Sequence, residues 1–543
     1  MKYTYSILAL GVAVLFLMFS CTGKFRDINT DKTGVSDEEM EGDFNRLGLP
    51  LSIIQQGIYF NYDYGKGKNW PYQIMQNLSA DMFSGYMHDY KPLNGGSNNS
   101  DYNLQDGWNG TFWENTYAYI FPQIKRSENA TRTDYPDFFA ITKILKVLVM
   151  HRVADYYGPI VYTRFGEKEG GEHPDSQQEA YYAFFTDLDT AVHAMDSHLK
   201  TGGSSRISRF DMLLDGKGES WIKLANSLRL RLAVRLATAD PGKAERECRK
   251  ALGNVYGVFQ ESGEVAAVST ESGYVNPLGE INQVWGEVYL NASLESILNG
   301  YEDPRRERFL IPCEADVVLK DEDGRVTGTI PLKGQYRGIR QGTLFSHTLY
   351  ASHSRLFVSQ KTAAVLMTAA EMWFLRAEAA LRGWTSEEAG ECYRRGVNTS
   401  FAQWGVTGAE AYLQSDRTGA DYTDVYTPAN NIAARCKVSP RWTEKELFEV
   451  KLEKIITQKW LAVFPEGCEA WAEQRRTGYP RLFPVKYNNS KNGCIDTEIM
   501  IRRLNFPVNL QDSDPALYQA LCNLLQGADH AGTRLWWDSG RNF

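Results

Sequence analysis

The chain has 543 residues, enough for one large domain or for two or three smaller ones. Its formal net charge of −8 argues against binding to nucleic acid and against electrostatic binding to anionic lipid. It contains 30 Tyr, 25 Phe and 13 Trp, a surplus that suits either a large aromatic core or surfaces that stack on flat ligands.

The first twenty residues have the pattern of an export signal. Lys2 precedes an apolar run, Ile7 to Phe19, which is too short to span a bilayer as a helix. A small residue stands directly before Cys21, the cleavage arrangement of bacterial lipoproteins, whose cysteine thiol receives a diacylglyceryl group. We therefore predict a signal peptide over 1–20, a lipid anchor at Cys21 and a polar tether over 21–43. An ordinary secretory signal with an incidental cysteine is the alternative.

The remaining residues, 44–543, are predicted to form a single, mainly α-helical domain. Helices are expected near 44–60, 110–130, 137–156, 178–199, 240–252 and 514–525. Another helix is indicated by five apolar residues that share one face, Trp221, Leu224, Leu228, Leu232 and Leu236. We expect the other faces of that helix to carry Lys223, Arg229 and Arg235.

A tight helical hairpin is predicted further along the chain. Its first helix follows the pattern Leu366, Ala370, Phe374, Ala377 and Leu381, and ends at Gly383. A capping box at Thr385-x-x-Glu388 would open the second helix, which runs to about Arg395. Thr443-x-x-Glu446 predicts a later helix through Trp460 that stops before Pro465. Such pairs resemble tetratricopeptide units, although no strict repeat of about 34 residues is visible.

Strand signals are sparse. The strongest is Asp323-Gly324 between the apolar runs 317–319 and 326–330, which predicts a β-hairpin. Asp321 and Asp323 also hint at a calcium loop, but Val326 stands where that loop needs glycine. The hairpin is the better interpretation, so minor β-hairpins complete the mainly α fold.

The eight cysteines do not form a metal-binding pattern. No CxxC occurs, and no His lies at zinc spacing from a cysteine. If Cys21 is lipidated, the other cysteines are odd in number, and we expect most of them to be reduced and buried. His151 lies on the polar side of an apolar helix and is expected at the surface or in a hydrogen bond.

The sequence lacks the signatures of the common hydrolases and nucleotide-binding enzymes, since HExxH, GxSxG and Walker loops are all missing. Ser220-x-x-Lys223 and Lys200-Thr201-Gly202 match two penicillin-binding motifs, but they occur in the reverse order. These patterns therefore identify no catalytic residues, no metal ligands and no cofactor other than acyl chains on Cys21, although they do not test for a pair of glycosidase carboxylates. The sequence leaves open a structural calcium ion.

Long loops rich in Gly, Asn and Tyr point to a binding surface. Such loops are expected over 61–72, 86–108, 256–288, 334–358 and 405–440. They place aromatic rings beside amide and carboxylate groups, which together hold the apolar faces and hydroxyl rims of sugars. The candidate ligand-binding residues are Trp70, Tyr72, Tyr86, Tyr90, Asn98, Asp101, Tyr102 and Trp108, with a smaller second group of Trp285 and Tyr289. Packing in the core is the alternative for each aromatic, and a peptide could use the same surface.

Several distinctive motifs are spread along nearly the whole chain. After Cys21 come Phe25-x-x-Ile28-Asn29-x-Asp31 and the run Asp155 to Tyr162, DYYGPIVY. The middle adds Ser293 to Arg305, Glu371 to Ala379, and Gln458-Lys459-Trp460. The end adds Glu469-Ala-Trp471-x-x-x-Arg475-Arg476-Thr-Gly478-Tyr479-Pro480 and Thr533 to Asp538. Together these motifs resemble those of the SusD/RagB family of outer-membrane nutrient-binding lipoproteins.

The resemblance implies a helical body of tetratricopeptide-like pairs with a loop-rich ligand-binding face. It implies a lipid-anchored protein of the outer membrane that faces the cell exterior and acts as a lid on a TonB-dependent barrel transporter. The resemblance also implies that the protein is not an enzyme. Its ligand would be an oligosaccharide or, as in the RagB branch, a peptide. Two other hypotheses stay open, a surface lipoprotein glycoside hydrolase with a carboxylate pair in one cleft and a tetratricopeptide-like envelope scaffold with a long concave groove.

Overall fold

A computed structural model describes residues 44–59, 70–89, 93–167, 173–203, 206–271, 273–344 and 346–540. The predicted signal peptide, Cys21 and the tether therefore lie outside the described residues. Residues 50–543 belong to one unit by their backbone contacts.

The described part of the chain contains twelve helices of ten or more residues. In chain order they are α1 (Asn45–Gly57), α2 (Phe121–Thr131), α3 (Pro136–Tyr157), α4 (Gln177–Lys200), α5 (Gly218–Arg235), α6 (Pro241–Leu252), α7 (Ala292–Tyr301), α8 (Ala369–Leu381), α9 (Ala389–Gln403), α10 (Phe448–Ala462), α11 (Gly467–Thr477) and α12 (Pro515–Leu524).

Shorter helical segments lie between them. The α-helical ones are Trp70–Tyr72, Ala80–Phe83, Asp106–Asn109, Thr111–Asn115, Pro277–Gly279, Arg306–Phe309, His347–Tyr350, Ala409–Leu413 and Leu510–Ser513. Three segments are π-helical, Gln73–Asn77, Thr116–Ile120 and Glu280–Val284, and four are 3₁₀-helical, Leu93–Gly96, Asn99–Asp101, Pro428–Asn430 and Lys491–Gly493.

The long helices pack mainly against their neighbours in sequence. Helix α3 packs against α2 and α4, α4 against α5, and α5 against α6; α8 packs against α9, α10 and α5. Nearly every residue of α3 is buried, as expected for the central helix of such an array. Helix α4 begins with a capping box in which Ser176 Oγ accepts the Glu179 amide and Glu179 accepts the Ser176 amide. The predicted mainly α fold of helix pairs is confirmed.

Short antiparallel strand pairs complete the described fold. The strands are β1 (Met87–Asp89), β2 (Val265–Val268), β3 (Val288–Leu290), β4 (Leu310–Ile311), β5 (Val317–Lys320), β6 (Val326–Ile330), β7 (Arg355–Leu356) and β8 (Ala364–Thr368). They pair as β1–β3, β2–β8, β4–β7 and β5–β6. The β5–β6 pair is the predicted hairpin, and Asp321 accepts the Arg325 amide within its turn at 2.8 Å.

The first helix of the predicted hairpin starts later than expected. Leu366 lies in β8, which pairs with β2, and not in the helix. The Thr368 side chain accepts the Glu371 amide, so the cap that starts α8 stands at Thr368. The C-terminal prediction is confirmed, since Gly383 has φ +75° directly after the end of α8.

Neither predicted capping box starts its helix. Helix α9 begins after Glu388, whose side chain makes no cap bond, and continues to Gln403 instead of Arg395. Helix α10 begins at Phe448, and the Glu446 carboxylate instead accepts Lys454 Nζ at 2.6 Å. Both motifs lie within loops that precede their helices.

The structure buries three polar side chains for which the sequence made predictions, Arg229, Arg235 and His151. Arg229 and Arg235, predicted on faces of α5 other than its apolar face, are buried at 2% and 0% exposure, where acidic side chains of other helices meet them. His151 is buried and hydrogen-bonded, with Nδ1 2.9 Å from the Val147 carbonyl oxygen, and burial together with Arg231 lowers its pKa to about 3. The surface alternative for His151 is wrong, and the hydrogen-bonded one is confirmed.

The seven described cysteines carry free thiols, as predicted. Five are buried, Cys248, Cys313, Cys392, Cys436 and Cys468, while Cys494 and Cys522 are half-buried. None of the helices in the described ranges is both long and apolar enough to cross a membrane.

Candidate ligand-binding site

Three segments from distant parts of the chain meet on one side of the helical body. Gln73, on the helix that begins at Trp70, donates from Nε2 to Glu287 Oε2 at 2.7 Å. Asn282 Nδ2 donates to the carbonyl oxygens of Leu356 and Val358, at 2.8 Å each. These bonds fix the 280–287 segment against both the helix that begins at Trp70 and the end of β7.

The junction of these segments carries exposed apolar side chains. Phe357 is 64% exposed, Val284 56% and Trp70 44%, and Trp285 is half-buried. Trp70 lies three residues before Gln73, so the Gln73–Glu287 bond brings the segment that carries Trp70 beside the segment that carries Trp285. We call Trp70, Val284, Trp285 and Phe357 the aromatic surface. Exposed apolar clusters of this kind mark binding sites more often than scattered single side chains do.

Two acidic groups and one basic group lie beside the aromatic surface. Arg355, next to Gly286, pairs with Glu314 at 3.1 Å. The Glu287 carboxylate accepts a hydrogen bond from the Gln73 side-chain amide, which is neutral. These three groups together leave an excess of negative charge beside the rings.

The sequence predicts exposed aromatics over 61–108, but the structure buries three of them. Tyr86 is 0% exposed, donates its hydroxyl to the Trp460 carbonyl, and packs against the Trp460 ring with 4.8 Å between centroids and the planes tilted by 39°. Tyr72 is buried beside Tyr59, with 5.4 Å between ring centroids, and Tyr102 is buried against Phe83. These three rings fill the core under the loops and offer no accessible face to a ligand in this structure.

Asn98 and Asp101 organise their own loop. Asn98 Oδ1 accepts the Ser100 amide at 2.8 Å, and Asp101 Oδ1 accepts the Asn98 amide at 3.1 Å. Asp101 Oδ2 also accepts a hydrogen bond from Asn489 Nδ2 at 2.7 Å. The backbone N–H of Asn489 donates to the Asp101 carbonyl oxygen at 2.8 Å. Both side chains are buried, and together they clasp the 98–103 loop to the 485–490 segment.

The other predicted residues differ in their placement. Trp108 is half-buried on Asp106–Asn109, a helix that packs against Gln73–Asn77, so it lies in the same region as Trp70. Tyr289 is buried in β3 opposite His88, and its hydroxyl donates to the Ala351 carbonyl oxygen at 3.3 Å. Tyr90 lies outside the described residues. Thus Trp70, Trp108 and Trp285 share one region, while Tyr72, Tyr86, Tyr102 and Tyr289 pack beneath the surface.

Sequence reasoning missed Phe357 and Val284. Phe357 falls within the predicted loop 334–358, and the continuous apolar run Leu356-Phe357-Val358 gives no signal in the sequence that Phe357 is exposed while its two neighbours are buried. Among the described residues there is no group of three or more His, Cys, Asp or Glu placed to hold a metal ion.

Comparisons with known proteins show to which family this chain belongs. The sequence profile described as "SusD-like: Susd and RagB outer membrane lipoprotein" matches residues 27–538. The chain belongs to the SusD-like family. The proteins of this family are outer-membrane binding proteins, and their description as lipoproteins agrees with the predicted anchor.

Solved SusD homologues share the whole fold. One from Bacteroides vulgatus is 46% identical, covering 93% of this chain and 100% of its own, with a TM-score of 0.85. A chitin-binding SusD homologue from Flavobacterium johnsoniae is 37% identical over 92% of this chain and 100% of its own, with a TM-score of 0.83. A SusD-like protein from Bacteroides thetaiotaomicron is 31% identical over 91% and 98%, with a TM-score of 0.80. No curated protein matched the chain.

Proposed function

We propose that this SusD-like protein captures a neutral oligosaccharide at the outer membrane and delivers it to a TonB-dependent barrel transporter. The aromatic surface carries the proposal, because sugar rings stack their apolar faces on Trp and Phe side chains. Trp70 and Phe357 supply exposed rings, and Trp285 lies between the segments that hold them. The Glu287 carboxylate, whose hydrogen-bond partner Gln73 is neutral, disfavours an anionic glycan.

Family membership supports the same conclusion. SusD-like proteins are binding proteins, and one homologue at 37% identity is described as chitin-binding. Oligomers of N-acetylglucosamine are therefore the first probes to test. A peptide is the competing ligand, and a glycoside hydrolase the competing function; release of sugar from a glycan panel would support the latter.

Anchoring and partner form the second half of the proposal. Cys21 would carry the acyl chains, since two or more chains anchor a protein stably where one does not. We expect Cys21→Ser to release the protein from the membrane fraction. We expect the native protein to co-purify with a β-barrel transporter, and purification without any barrel would contradict the delivery step.

Calorimetry with chitohexaose, maltohexaose and a tryptic digest of casein tests the binding half. The double variant Trp70→Ala/Trp285→Ala should bind the recognised glycan at least about tenfold more weakly, since two stacking contacts are lost. Its melting temperature should stay near that of the wild type, because exposed side chains contribute little to the core.

Phe448→Ala is the matched control. Phe448 is 39% exposed, but it lies at the start of α10, at the opposite end of that helix from Trp460, which packs against Tyr86. The control should bind as tightly as the wild type. Equal affinity of the double variant and the wild type would remove the aromatic surface from the site, and failure of every glycan to bind the wild type would contradict the function itself.

A further inference from the structure

A second cleft, separate from the aromatic surface, opens near the C-terminal part of the chain. It has a volume of about 520 Å³ and lies between the 102–106 loop and the segments 491–495 and 529–531. It shares no residue with the aromatic surface. Its volume falls within the range of about 300–1,000 Å³ that is typical of small-ligand sites.

The walls of this C-terminal cleft differ in chemistry. Leu104, Ile495 and Ala531 form an apolar side. Asp106, Lys491 and Asn492 contribute a carboxylate, an ammonium and an amide. Within the described ranges, none of these three polar side chains forms a hydrogen bond or an ion pair, so each is available to a ligand.

Hydrogen bonds among the residues behind the walls hold the cleft open before a ligand binds. The clasp between Asp101 and Asn489 fixes the 98–103 loop next to Lys491. On the other side, the Asp529 carboxylate accepts Arg503 Nη1 at 2.5 Å and the Phe506 amide at 3.1 Å. A site whose walls are already ordered loses little conformational entropy when a ligand binds.

One residue that lines the cleft has an uncommon backbone conformation. Tyr102, a bulky residue, adopts φ +65° and is 1% exposed. Non-glycine residues rarely take this conformation, and they persist in it only where the surroundings hold them. Here the Asn98–Asp101 bonds directly precede Tyr102 and hold this part of the loop in place.

We propose that the C-terminal cleft is a second glycan subsite, which accepts one or two neutral sugar units. The inference rests on the proposed function, since it assigns a further contact for the same class of ligand. A sugar ring would place its apolar face against Leu104 and Ile495 and its hydroxyls toward Asp106, Lys491 and Asn492. One carboxylate beside one ammonium gives no net preference for an anion or a cation, but both bond well to hydroxyl groups.

The decisive experiment measures binding of chitohexaose and maltohexaose to three proteins. They are the wild type, the cleft variant Asp106→Ala/Asn492→Ala, and a cleft-filling variant, Ala531→Trp. For a glycan that the wild type binds, both variants should lose at least about fivefold in affinity. Asp134→Ala, an exposed carboxylate outside the cleft, is the control and should bind as the wild type does.

The outcomes separate the two proposals. If the Trp70→Ala/Trp285→Ala protein binds more weakly while both cleft variants match the wild type, the second subsite is wrong and the proposed function stands. If no glycan binds the wild type but casein peptides do, and the cleft variants weaken that binding, the cleft belongs to a peptide site and the sugar assignment is overturned. Melting temperatures check folding, and the Asp106→Ala/Asn492→Ala protein, which changes exposed side chains alone, keeps the test valid if Ala531→Trp fails to fold.

Discussion

Arg476 and Glu378, 98 residues apart in sequence, form a two-point ion pair in the core of the helical body. Nη1 donates to Oε1 at 2.8 Å and Nη2 to Oε2 at 2.6 Å. The same guanidinium donates to Glu473, from Nε at 2.9 Å and from Nη2 at 2.7 Å. Arg476 therefore ties α11 to α8 while it bonds within its own helix.

The pair belongs to a larger buried network. Arg235 of α5 meets Glu473 at 2.8 Å, Lys459 of α10 meets Glu469 at 2.7 Å, and Arg231 of α5 meets Glu371 at 2.6 Å. Buried charges stabilise a fold only when every member is paired, because each loses its hydration. In this network each basic side chain meets an acidic one, so the condition is satisfied. These pairs fix how α5, α8, α10 and α11 assemble.

We expect Arg476→Met to lower the free energy of unfolding by about 3–5 kcal/mol. The substitution leaves Glu378 and Glu473 buried without their strongest partner, although Arg382 still meets Glu378 at 2.8 Å. Urea unfolding followed by circular dichroism measures the change.

Arg395→Ala serves as the matched control. Arg395 pairs with Glu391 at 2.9 Å, but the two side chains are 56% and 43% exposed. Exposed pairs contribute little, so the control should change stability by no more than about 0.5 kcal/mol. A loss of similar size in both variants would contradict the role of the buried network.

The same network predicts how stability depends on pH. Burial would raise the pKa of Glu469, but Arg235, Lys459 and Arg231 outweigh burial and lower it to about 2. The unfolded value is about 4.3. Because the folded pKa is the lower one, the unfolded chain binds more protons in this range, and stability falls as pH falls from about 4.3 toward about 2.

We therefore expect the wild type to lose stability steeply over that acid range, while Glu469→Gln loses less. At pH 7 the variant should be the less stable protein, because Arg235 and Lys459 lose a carboxylate partner. Urea midpoints between pH 2.5 and pH 7 test this, and parallel profiles for the two proteins would show that Glu469 does not supply the acid sensitivity.

Local patterns predicted the helices well because the periodicity of a helix lies within a dozen residues. Helix α5 and the C-terminal end of α8 follow from such patterns. The burial of Arg235 does not, since its partner Glu473 is 238 residues away. The start of α10 differs from the prediction for a local reason, because the Glu446 carboxylate accepts a hydrogen bond from the Lys454 side chain and caps no helix backbone.

The aromatic surface and the aromatic residues beneath it show the same division. Trp70 and Trp285 were predicted from composition, and the Gln73–Glu287 bond that brings their segments together spans 214 residues. Tyr86 was expected in a loop surface but is buried by Trp460, 374 residues further along the chain. Loop composition alone cannot distinguish a ring that faces solvent from one covered by a distant helix.

The cysteines provide a third test. Since the seven described thiols are free, a reducing agent should leave the melting temperature unchanged. Under native conditions a thiol reagent should react first with Cys494 and Cys522, the half-buried pair, and reach the other five only on unfolding. Peptide mapping after brief labelling identifies the sites, and early labelling of Cys248 or Cys468 would contradict the described packing.

Close backbone packing beneath the aromatic surface gives the last prediction. A Cβ atom at Gly279 would collide with the backbone of Ser359 and Gln360, in the segment that directly follows Phe357 and Val358. Because backbone atoms cannot turn aside as a side chain can, Gly279→Ala should displace this segment and cost about 1–3 kcal/mol in the free energy of unfolding. It should also weaken glycan binding, because Phe357 would move relative to Trp70.

Gly263→Ala, where no atom lies within 4 Å of the added Cβ, should leave both stability and binding unchanged. Calorimetric melting and glycan titration of the two variants make the comparison, and if Gly279→Ala melts and binds like Gly263→Ala, the placement of the 355–360 segment under the aromatic surface is wrong.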